Sequence, residues 1–307
     1  MKRTSLITNG VEDEVRQVVL HYHFFKNAGT TIESVLKQSF GGGLAHFDSD
    51  DPNGVISNPV LVRFLEQHSN VVAITSHHLR PPKPVSDHFV FYDILFLRHP
   101  LARLWSTYQF YRRMDEGKDS LALAAQERSA GDFFQVLMDE YPFHASNAQV
   151  NLIANAGDKL PVQGDLERAR SILLACSVPG TAELFDESAV LAECVLGSAF
   201  GQVDFSYVAQ NVTKTRVLGL QEQLQEFESR SGSRVFARLL EMNQLDIALH
   251  ETTSGEIRRR FALLSRGRKQ LTKFRQRCAR REQETASIII ASNHPTDFSS
   301  YANLACK

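Results

Sequence analysis

Six consecutive residues, from Lys26 to Thr31, have the types and the spacing of an anion-binding site. They read Lys-Asn-Ala-Gly-Thr-Thr and follow an apolar, β-rich segment that begins at Val18. A buried strand that ends at a small, glycine-containing turn and restarts as a helix leaves several backbone N–H groups unpaired at the positive end of the helix dipole. Lys26 adds a mobile charge, and the two threonines add hydroxyl donors. An ordinary strand-to-helix connection with capping threonines would give the same pattern.

Arg98 and Ser106 form a second candidate pair. The apolar segment Phe89–Leu97 predicts a strand, and Arg98 follows it directly. Pro100 favours a helix start, and an apolar stripe at helical spacing over 101–113 places Ser106 two turns along that helix. A surface ion pair for Arg98 and a neutral helix position for Ser106 are the plainer alternatives.

Two adjacent histidines, His77 and His78, follow a third apolar segment, 71–75, that predicts a strand. Prolines soon after them end regular structure. Open parallel sheets bind ligands beyond the carboxyl ends of their strands, and an imidazole can accept a proton near neutral pH. Because adjacent side chains at a strand end point opposite ways, only one of the two should face a ligand.

Strand and helix patterns alternate along the chain, which predicts an α/β fold. Besides the strand at Val18, apolar segments predict strands at 71–75, 89–97 and 177–181. Helical spacing predicts helices at 59–67, 101–113, 166–175, 187–196, 220–229 and 233–249, with short helices and turns over 131–157. The Gly-, Asp-, Asn- and Pro-rich segment 41–58 predicts a loop. With no internal repeat or linker, we interpret 1–307 as a single domain.

A basic helix is predicted at about 255–281. From Glu256 to Arg281 there are eleven basic residues and one acidic residue, whereas the whole chain has a net charge of −1. Apolar residues recur at three-, four- or seven-residue intervals, which indicates an amphipathic helix docked by its apolar stripe. The alternative is an electrostatic funnel for an anionic donor or acceptor. No element is predicted for the polar tail, 292–307.

The composition is that of an ordinary globular protein, with 43% hydrophobic and 22% charged residues among 307. With a net charge near zero, the protein has no overall electrostatic field that would attract nucleic acid or a membrane surface. Four separated cysteines without a C-x-x-C pair argue against a zinc site or a disulfide scaffold. No apolar run of signal-peptide length precedes Val18, and none later reaches eighteen residues. We therefore expect a cytoplasmic protein with no metal, no nucleic-acid partner and no membrane span.

The order of the candidate residues differs from that of an ATP-binding P-loop. The motif G-x-x-x-x-G-K-[ST] places lysine after glycine, whereas Lys26 precedes Gly29 and no G-K-[ST] follows. The order K-x-x-G-T-T, with the later spacing from Arg98 to Ser106, instead resembles PAPS-dependent sulfotransferases. Within them it is most similar to the carbohydrate branch that includes heparan sulfate 2-O-sulfotransferase and bacterial relatives. The motifs that carry the resemblance are HFFKNAGTTIE and LRHPLARLWSTY, with weaker similarity in SHHL, NAQVNLIA, VPGTAELFDESAVL and NQLDIALHE.

The resemblance spans Val18 to Glu251 and implies a P-loop-like, three-layer sandwich with a central, mainly parallel sheet flanked by helices. It implies PAPS (3'-phosphoadenylyl sulfate) as sulfuryl donor, PAP as product, and a hydroxyl-bearing acceptor, either a carbohydrate or a small molecule. The chain departs from the family pattern at three positions: Phe25 stands where proline is common, Asn27 where threonine is common, and His99 where aspartate is common.

The resemblance also implies roles for individual residues. Lys26 would be catalytic, holding the bridging oxygen of the phosphosulfate as charge develops there. Arg98 and Ser106 would bind the 3'-phosphate, for which a guanidinium is well suited. The 5'-phosphate would lie in a cradle formed by Lys26, Asn27, Ala28, Gly29, Thr30 and Thr31.

The general base is less clearly specified. His78 aligns with the histidine of the family's G-H-L segment and is the predicted base, with His77 as its competitor. His23 also matches a motif histidine, but its place in a buried strand favours a core role. Glu33 is the next candidate if neither strand-end histidine matters.

Three further residues are weaker candidates. Arg103 fits an ion pair within the fold, and Asn211 and Lys214 are candidates for nucleotide contact. Two other functions remain open: a nucleotide-dependent kinase, which the missing G-K-[ST] disfavours, and a catalytically silent nucleotide-binding scaffold.

Overall fold

The computed structural model describes residues 15–114, 119–208 and 219–291. Within these ranges, five strands, β1 to β5, cover Arg16–Tyr22, Leu44–His46, Ala73–Ser76, Phe89–Leu97 and Val178–Thr181. They form one sheet in the order β2-β3-β1-β4-β5, and every neighbouring pair is parallel. The predicted α/β class with a parallel central sheet is confirmed.

Helices account for most of the remaining described chain. The thirteen helices within the described ranges, α1 to α13, are Gly29–Phe40, Asn58–Gln67, Pro100–Tyr111, Ser120–Glu127, Ala130–Glu140, Pro142–Ala145, Ala148–Ala154, Gln163–Ala175, Phe185–Phe200, Leu220–Ser231, Ser233–Met242, Gln244–Leu263 and Gly267–Ala291. In these same ranges no helix combines the length and the apolar character needed to cross a bilayer.

The two faces of the sheet carry separate cores, because side chains alternate along a strand. Val18 and Leu20 of β1 pack on one side with α2, α7, α8 and α12. Val19, between them, packs on the other side with α1, α9 and α13. Both faces are therefore covered, as an all-parallel sheet requires, and the layers form a helix–sheet–helix sandwich. A third apolar cluster, around Trp105 and Phe227, joins α3, α4, α5, α10 and α11.

The strands end together on the side where the candidate residues were predicted. Tyr22, the last residue of β1, is paired with Ser76, the last residue of β3, and with Leu95 near the end of β4. The loops that follow these three strands consequently leave the sheet at one edge. They carry Lys26, the two strand-end histidines and Arg98.

The prediction that 41–58 is a loop is partly wrong. Gly41–Gly43 forms a turn of 3₁₀ helix, and β2 follows it as an edge strand of three residues paired with β3. Asn58, at the end of that segment, begins α2. A strand this short has too few residues to show an alternating pattern, and its hydrogen bonds come from a neighbour about thirty residues away.

The prediction of one basic helix at 255–281 is also wrong, as is that of one helix at 233–249. The first segment belongs to α12 and α13, which are separated at 264–266, and the second is divided at Asn243. Arg266 has a φ of 64°, in the left-handed region. A Cβ on Gly267 would lie 3.1 Å from the carbonyl oxygen of Phe261, so a glycine suits this reversal. The polar tail at 292–307 lies outside the described residues.

Three of the seven basic residues of α13 form ion pairs within the fold. Arg275 pairs with Asp186 at 2.7 Å, and Arg281 pairs with Asp204 at 2.8 Å. Arg277 pairs with Glu193 and also with Asp204. These contacts, with the fully buried ring of Phe274, favour the docked amphipathic helix over the electrostatic funnel.

Candidate functional site

The loop between β1 and α1 has an unusual backbone. Lys26 and Ala28 have φ angles of 63° and 64°, in the left-handed region that non-glycine residues rarely occupy. Ala28 is the N-cap of α1, and no side chain caps the helix there. Strained residues of this kind cluster where a backbone is held for binding or catalysis.

The backbone of this loop offers several unpaired donors. The amide of Asn27 donates to Phe24 O at 3.2 Å, and that of Thr31 donates to Ala28 O at 3.1 Å. Among the described residues, the amides of Ala28, Gly29 and Thr30 have no acceptor, nor do the Thr30 and Thr31 hydroxyls. An anion is the natural partner for donors gathered at a helix N-terminus.

Gly29 lets the start of α1 approach the ring of His23. A Cβ built on Gly29 would lie 1.9 Å from His23 Cδ2, a distance at which the two side chains would collide. The glycine of the predicted motif is therefore required by packing as well as by the turn.

Lys26 lies close to other cations and has no carboxylate partner in the described ranges. Its Nζ is 4.6 Å from the ring centroid of Phe110 and 5.7 Å from that of Phe25. Burial, followed by the charges of Arg98 and Arg113, lowers the pKa of Lys26 to about 8. This concentration of positive charge is stabilised when an anion binds.

Asn27 has a different place from the one predicted. Its side chain is buried, and Nδ2 donates to Phe96 O and to Gln149 Oε1, both at 3.0 Å. Because its own amide already donates to Phe24 O, Asn27 holds the loop against β4 rather than offering an N–H to a ligand. The amides of Ala28, Gly29 and Thr30 and the hydroxyls of Thr30 and Thr31 are the cradle donors without an acceptor among the described residues.

Arg98 follows β4 and is held near Lys26. Its guanidinium donates to Gln223 Oε1 on α10 at 2.9 Å. Burial lowers the pKa of Arg98, against the opposing charge of Glu183. Ser106 on α3 is half-buried, and its hydroxyl has no partner in the described part of the chain. The charge of Arg98 acts on Lys26, and the two residues follow the adjacent strands β1 and β4.

His78 is held by the loop that precedes α2. Its Nδ1 accepts from the amide of Ser49 at 3.2 Å and lies 3.1 Å from a carboxylate oxygen of Asp48. Its Nε2 donates to the carbonyl oxygen of Pro52 at 3.1 Å. Both ring nitrogens are engaged, so this geometry offers no free nitrogen to a substrate.

His77 is the strand-end histidine that faces the Lys26 loop. Its Nδ1 donates to the carbonyl oxygen of His23 at 2.7 Å, and the two rings lie 4.1 Å apart. Nε2 therefore carries the lone pair, and no described residue bonds to it. Burial and the charge of His23 lower the pKa of His77, opposed by Asp48. A neutral imidazole with an open acceptor nitrogen has the properties of a general base.

Glu33 joins a cluster of histidines that the sequence did not indicate. It lies 3.3 Å from His23 Nδ1 and 3.6 Å from His46 Nε2. Burial raises the pKa of Glu33, but the hydrogen bond with His23 and the nearby histidines outweigh burial and lower it. His21 stacks on His23 at 5.2 Å.

Over 15–114, 119–208 and 219–291, no group of three or more His, Cys, Asp or Glu is arranged to hold a metal ion.

Of the three weaker candidates, one is buried within the fold and two lie outside the described residues. Arg103 is buried and donates from Nη2 to the carbonyl oxygen of His144 at 2.8 Å, with Asp246 as the nearby opposite charge. Arg103 is thus held within the fold by a main-chain carbonyl, and its predicted ion pair stays a prediction. Asn211 and Lys214 lie outside the described residues.

Comparison with known proteins provides a distant relative. No family model matches the chain. A protein of Archaeoglobus fulgidus described as uncharacterized is 24% identical over 245 residues, which cover 77% of this chain and 95% of that protein. Its description names no activity.

Proposed function

We propose that this protein is a PAPS-dependent sulfotransferase that transfers a sulfuryl group to a hydroxyl of a carbohydrate or small-molecule acceptor. The observation that carries the proposal is the pair of cations, Lys26 and Arg98, at the carboxyl ends of the adjacent strands β1 and β4. PAPS is a donor with a 5'-phosphosulfate and a separate 3'-phosphate. Two neighbouring anion subsites on one sheet edge fit these two groups.

The Lys26 subsite would hold the phosphosulfate. The free amides of Ala28, Gly29 and Thr30 would bind the 5'-phosphate oxygens, and the ammonium of Lys26 would contact the oxygen that bridges phosphorus and sulfur. When the acceptor oxygen forms its bond to sulfur, the bond from sulfur to the bridging oxygen breaks, and PAP leaves with the negative charge. Lys26 stabilises that charge as it develops.

The Arg98 subsite would distinguish PAPS from a donor that lacks the 3'-phosphate. Its guanidinium and the free hydroxyl of Ser106, two turns along α3, would donate to that phosphate. Charge-assisted bonds from a planar guanidinium suit a dianion.

The proton of the acceptor hydroxyl must leave as the new bond forms. His77 is our choice for its acceptor, because its Nε2 is open and its ring packs against His23 beside the helix start. His78, which the sequence favoured, has both nitrogens engaged by 48–52.

The proposal is tested by incubating the protein with sulfur-labelled PAPS and a panel of hydroxylated acceptors. Label should move to an acceptor, and PAP should accumulate in equal amount. Lys26→Ala should lower turnover by roughly a hundredfold or more and weaken PAP binding much less, since the charge develops mainly in the transition state. Lys37→Ala, at an exposed lysine near the end of α1, is the matched control.

Three results would contradict the proposal. Equal losses of turnover and PAP affinity in Lys26→Ala would remove the catalytic role of Lys26. Transfer of the γ-phosphate of ATP to the same acceptors, with no reaction from PAPS, would favour the kinase. Binding of PAP without transfer to any acceptor would favour the silent scaffold.

A further inference from the structure

One buried side chain, Gln149 on α7, contacts both anion-binding segments. It is 1% exposed. Its Oε1 accepts from Asn27 Nδ2 at 3.0 Å and from the backbone amide of Arg98 at 3.0 Å. A single oxygen atom therefore joins the loop that carries Lys26 to the end of β4.

The amide nitrogen of Gln149 completes the connection. Nε2 donates to the carbonyl oxygen of Arg98 at 2.9 Å and to Asp246 Oδ2 at 3.3 Å. Arg98 thus has both main-chain groups bound by one side-chain amide, in the way that a neighbouring strand would bind them. All hydrogen-bonding positions of the glutamine side chain are in use.

Asp246 anchors Gln149 to α12. It is fully buried, and its carboxylate accepts from the backbone amides of Gln149 at 3.1 Å and Val150 at 2.8 Å. In return, Asn147 Oδ1 accepts from the amides of Leu245 and Asp246 at 3.0 and 3.1 Å. These hydrogen bonds therefore join the start of α7 to the start of α12, and Gln149 lies on a rigid support.

We propose that Gln149 is a positioning residue that sets the spacing between the Lys26 subsite and the Arg98 subsite. The inference rests on the proposed function, because the spacing matters for a ligand with two separate phosphate groups. Such a ligand gains from binding both subsites only when their separation matches its own. A ligand with one phosphate has no such requirement.

The test is calorimetric titration with PAP, 5'-AMP and 3'-AMP. Gln149→Met keeps the length of the side chain but removes its four hydrogen bonds. PAP affinity should fall by about tenfold or more, because two-point binding is lost when the sites no longer match, while each monophosphate changes less than about threefold. A purely structural defect would lower all three affinities by one factor, and that result overturns the proposal.

Asn151→Ala is the matched control on the same helix. Asn151 Nδ2 donates to the carbonyl oxygens of Gly157 and Lys159 at 3.0 and 2.9 Å, away from both subsites. Its loss should leave the ratio of PAP to AMP affinity unchanged. Asn27→Ala is a second variant for use if Gln149→Met does not fold, since it releases only the Lys26 loop, and it should lower the same ratio.

A ligand-free measurement separates failure of this inference from failure of the proposed function. Hydrogen exchange should accelerate over 24–31 and 97–101 in Gln149→Met and remain unchanged there in Asn151→Ala. If the parent binds none of the nucleotides but both segments loosen together, the proposed donor is wrong and the positioning role stands. If neither segment changes, Gln149 does not position them.

Discussion

Lys26→Met should stabilise the free protein while removing the proposed sulfuryl transfer. The ammonium of Lys26 is partly buried beside Arg98 and Arg113 with no carboxylate partner in the described ranges, and its pKa is lowered from 10.5 to about 8. At 1.36 kcal/mol per pKa unit, the charged form costs up to about 3 kcal/mol of stability at pH 7. Solvent screening reduces this to about 1–2 kcal/mol, and the lost contact with Phe110 offsets about 0.5–1 kcal/mol of the gain.

The pH dependence gives the sharper form of this prediction. Because the folded pKa lies below the unfolded one, the unfolded parent binds more protons between about pH 8 and 10.5, and the parent gains stability as pH rises through that window. Lys26→Met lacks this gain. The advantage of the variant should therefore be largest below pH 8 and shrink by about 1–2 kcal/mol toward pH 10.

Denaturant unfolding of parent and variant at pH 7 and pH 9.5 measures the effect. Methionine matches the length of lysine, so both proteins carry the same left-handed backbone at position 26. Lys37→Met, at an exposed lysine of α1, is the control and should change the free energy of unfolding by less than about 0.5 kcal/mol at both pH values. If Lys26→Met is less stable than the parent at pH 7, and the difference in free energy of unfolding does not change with pH, the unfavourable burial of Lys26 beside Arg98 and Arg113 is refuted.

Three other predictions concern the nucleotide, the base and the last helix. Arg98→Ala should remove most of the preference for PAP over 5'-AMP, about 1.5–3 kcal/mol for a charge-assisted bond; unchanged discrimination in a titration would place the 3'-phosphate elsewhere. His77→Ala should lower the transfer rate by about a hundredfold and leave PAP affinity nearly intact, whereas His78→Ala should lower the rate less. If rate assays show the larger loss in His78→Ala, His78 is the base. Phe274→Ala should lower the free energy of unfolding by about 3–5 kcal/mol, and a loss under about 1 kcal/mol in denaturant titration would contradict the packing of α13.

The central sheet could be predicted because its strands are continuous apolar segments. The segments 18–22 of β1 and 93–97 of β4 are buried on both faces, so they lack the alternation of a half-exposed strand and stand out from the polar loops around them. β2 could not be predicted in the same way, since its three residues depend on pairing with β3. The break between α12 and α13 could not be predicted, because the series of arginines and lysines continues through it.

The candidate site could be predicted only where it is local in sequence. Lys26, Gly29 and Arg98 lie in short segments whose place at strand ends follows from the strands themselves. The choice between His77 and His78 depends on contacts from 48–52, more than twenty residues away, which hold His78. The bond between Asn27 and Gln149 spans 122 positions, and no local pattern indicates it.

The central claim is that Lys26 and Arg98 bind the two ends of one 3',5'-bisphosphate nucleotide. The most direct test is a calorimetric titration of the parent with PAP, with 5'-AMP, and with ATP in the presence of magnesium. We predict that PAP binds at least about tenfold more tightly than 5'-AMP, because the 3'-phosphate adds a charge-assisted contact. ATP should bind no more tightly than 5'-AMP. Equal affinities for PAP and 5'-AMP, or tightest binding of ATP, would contradict the account.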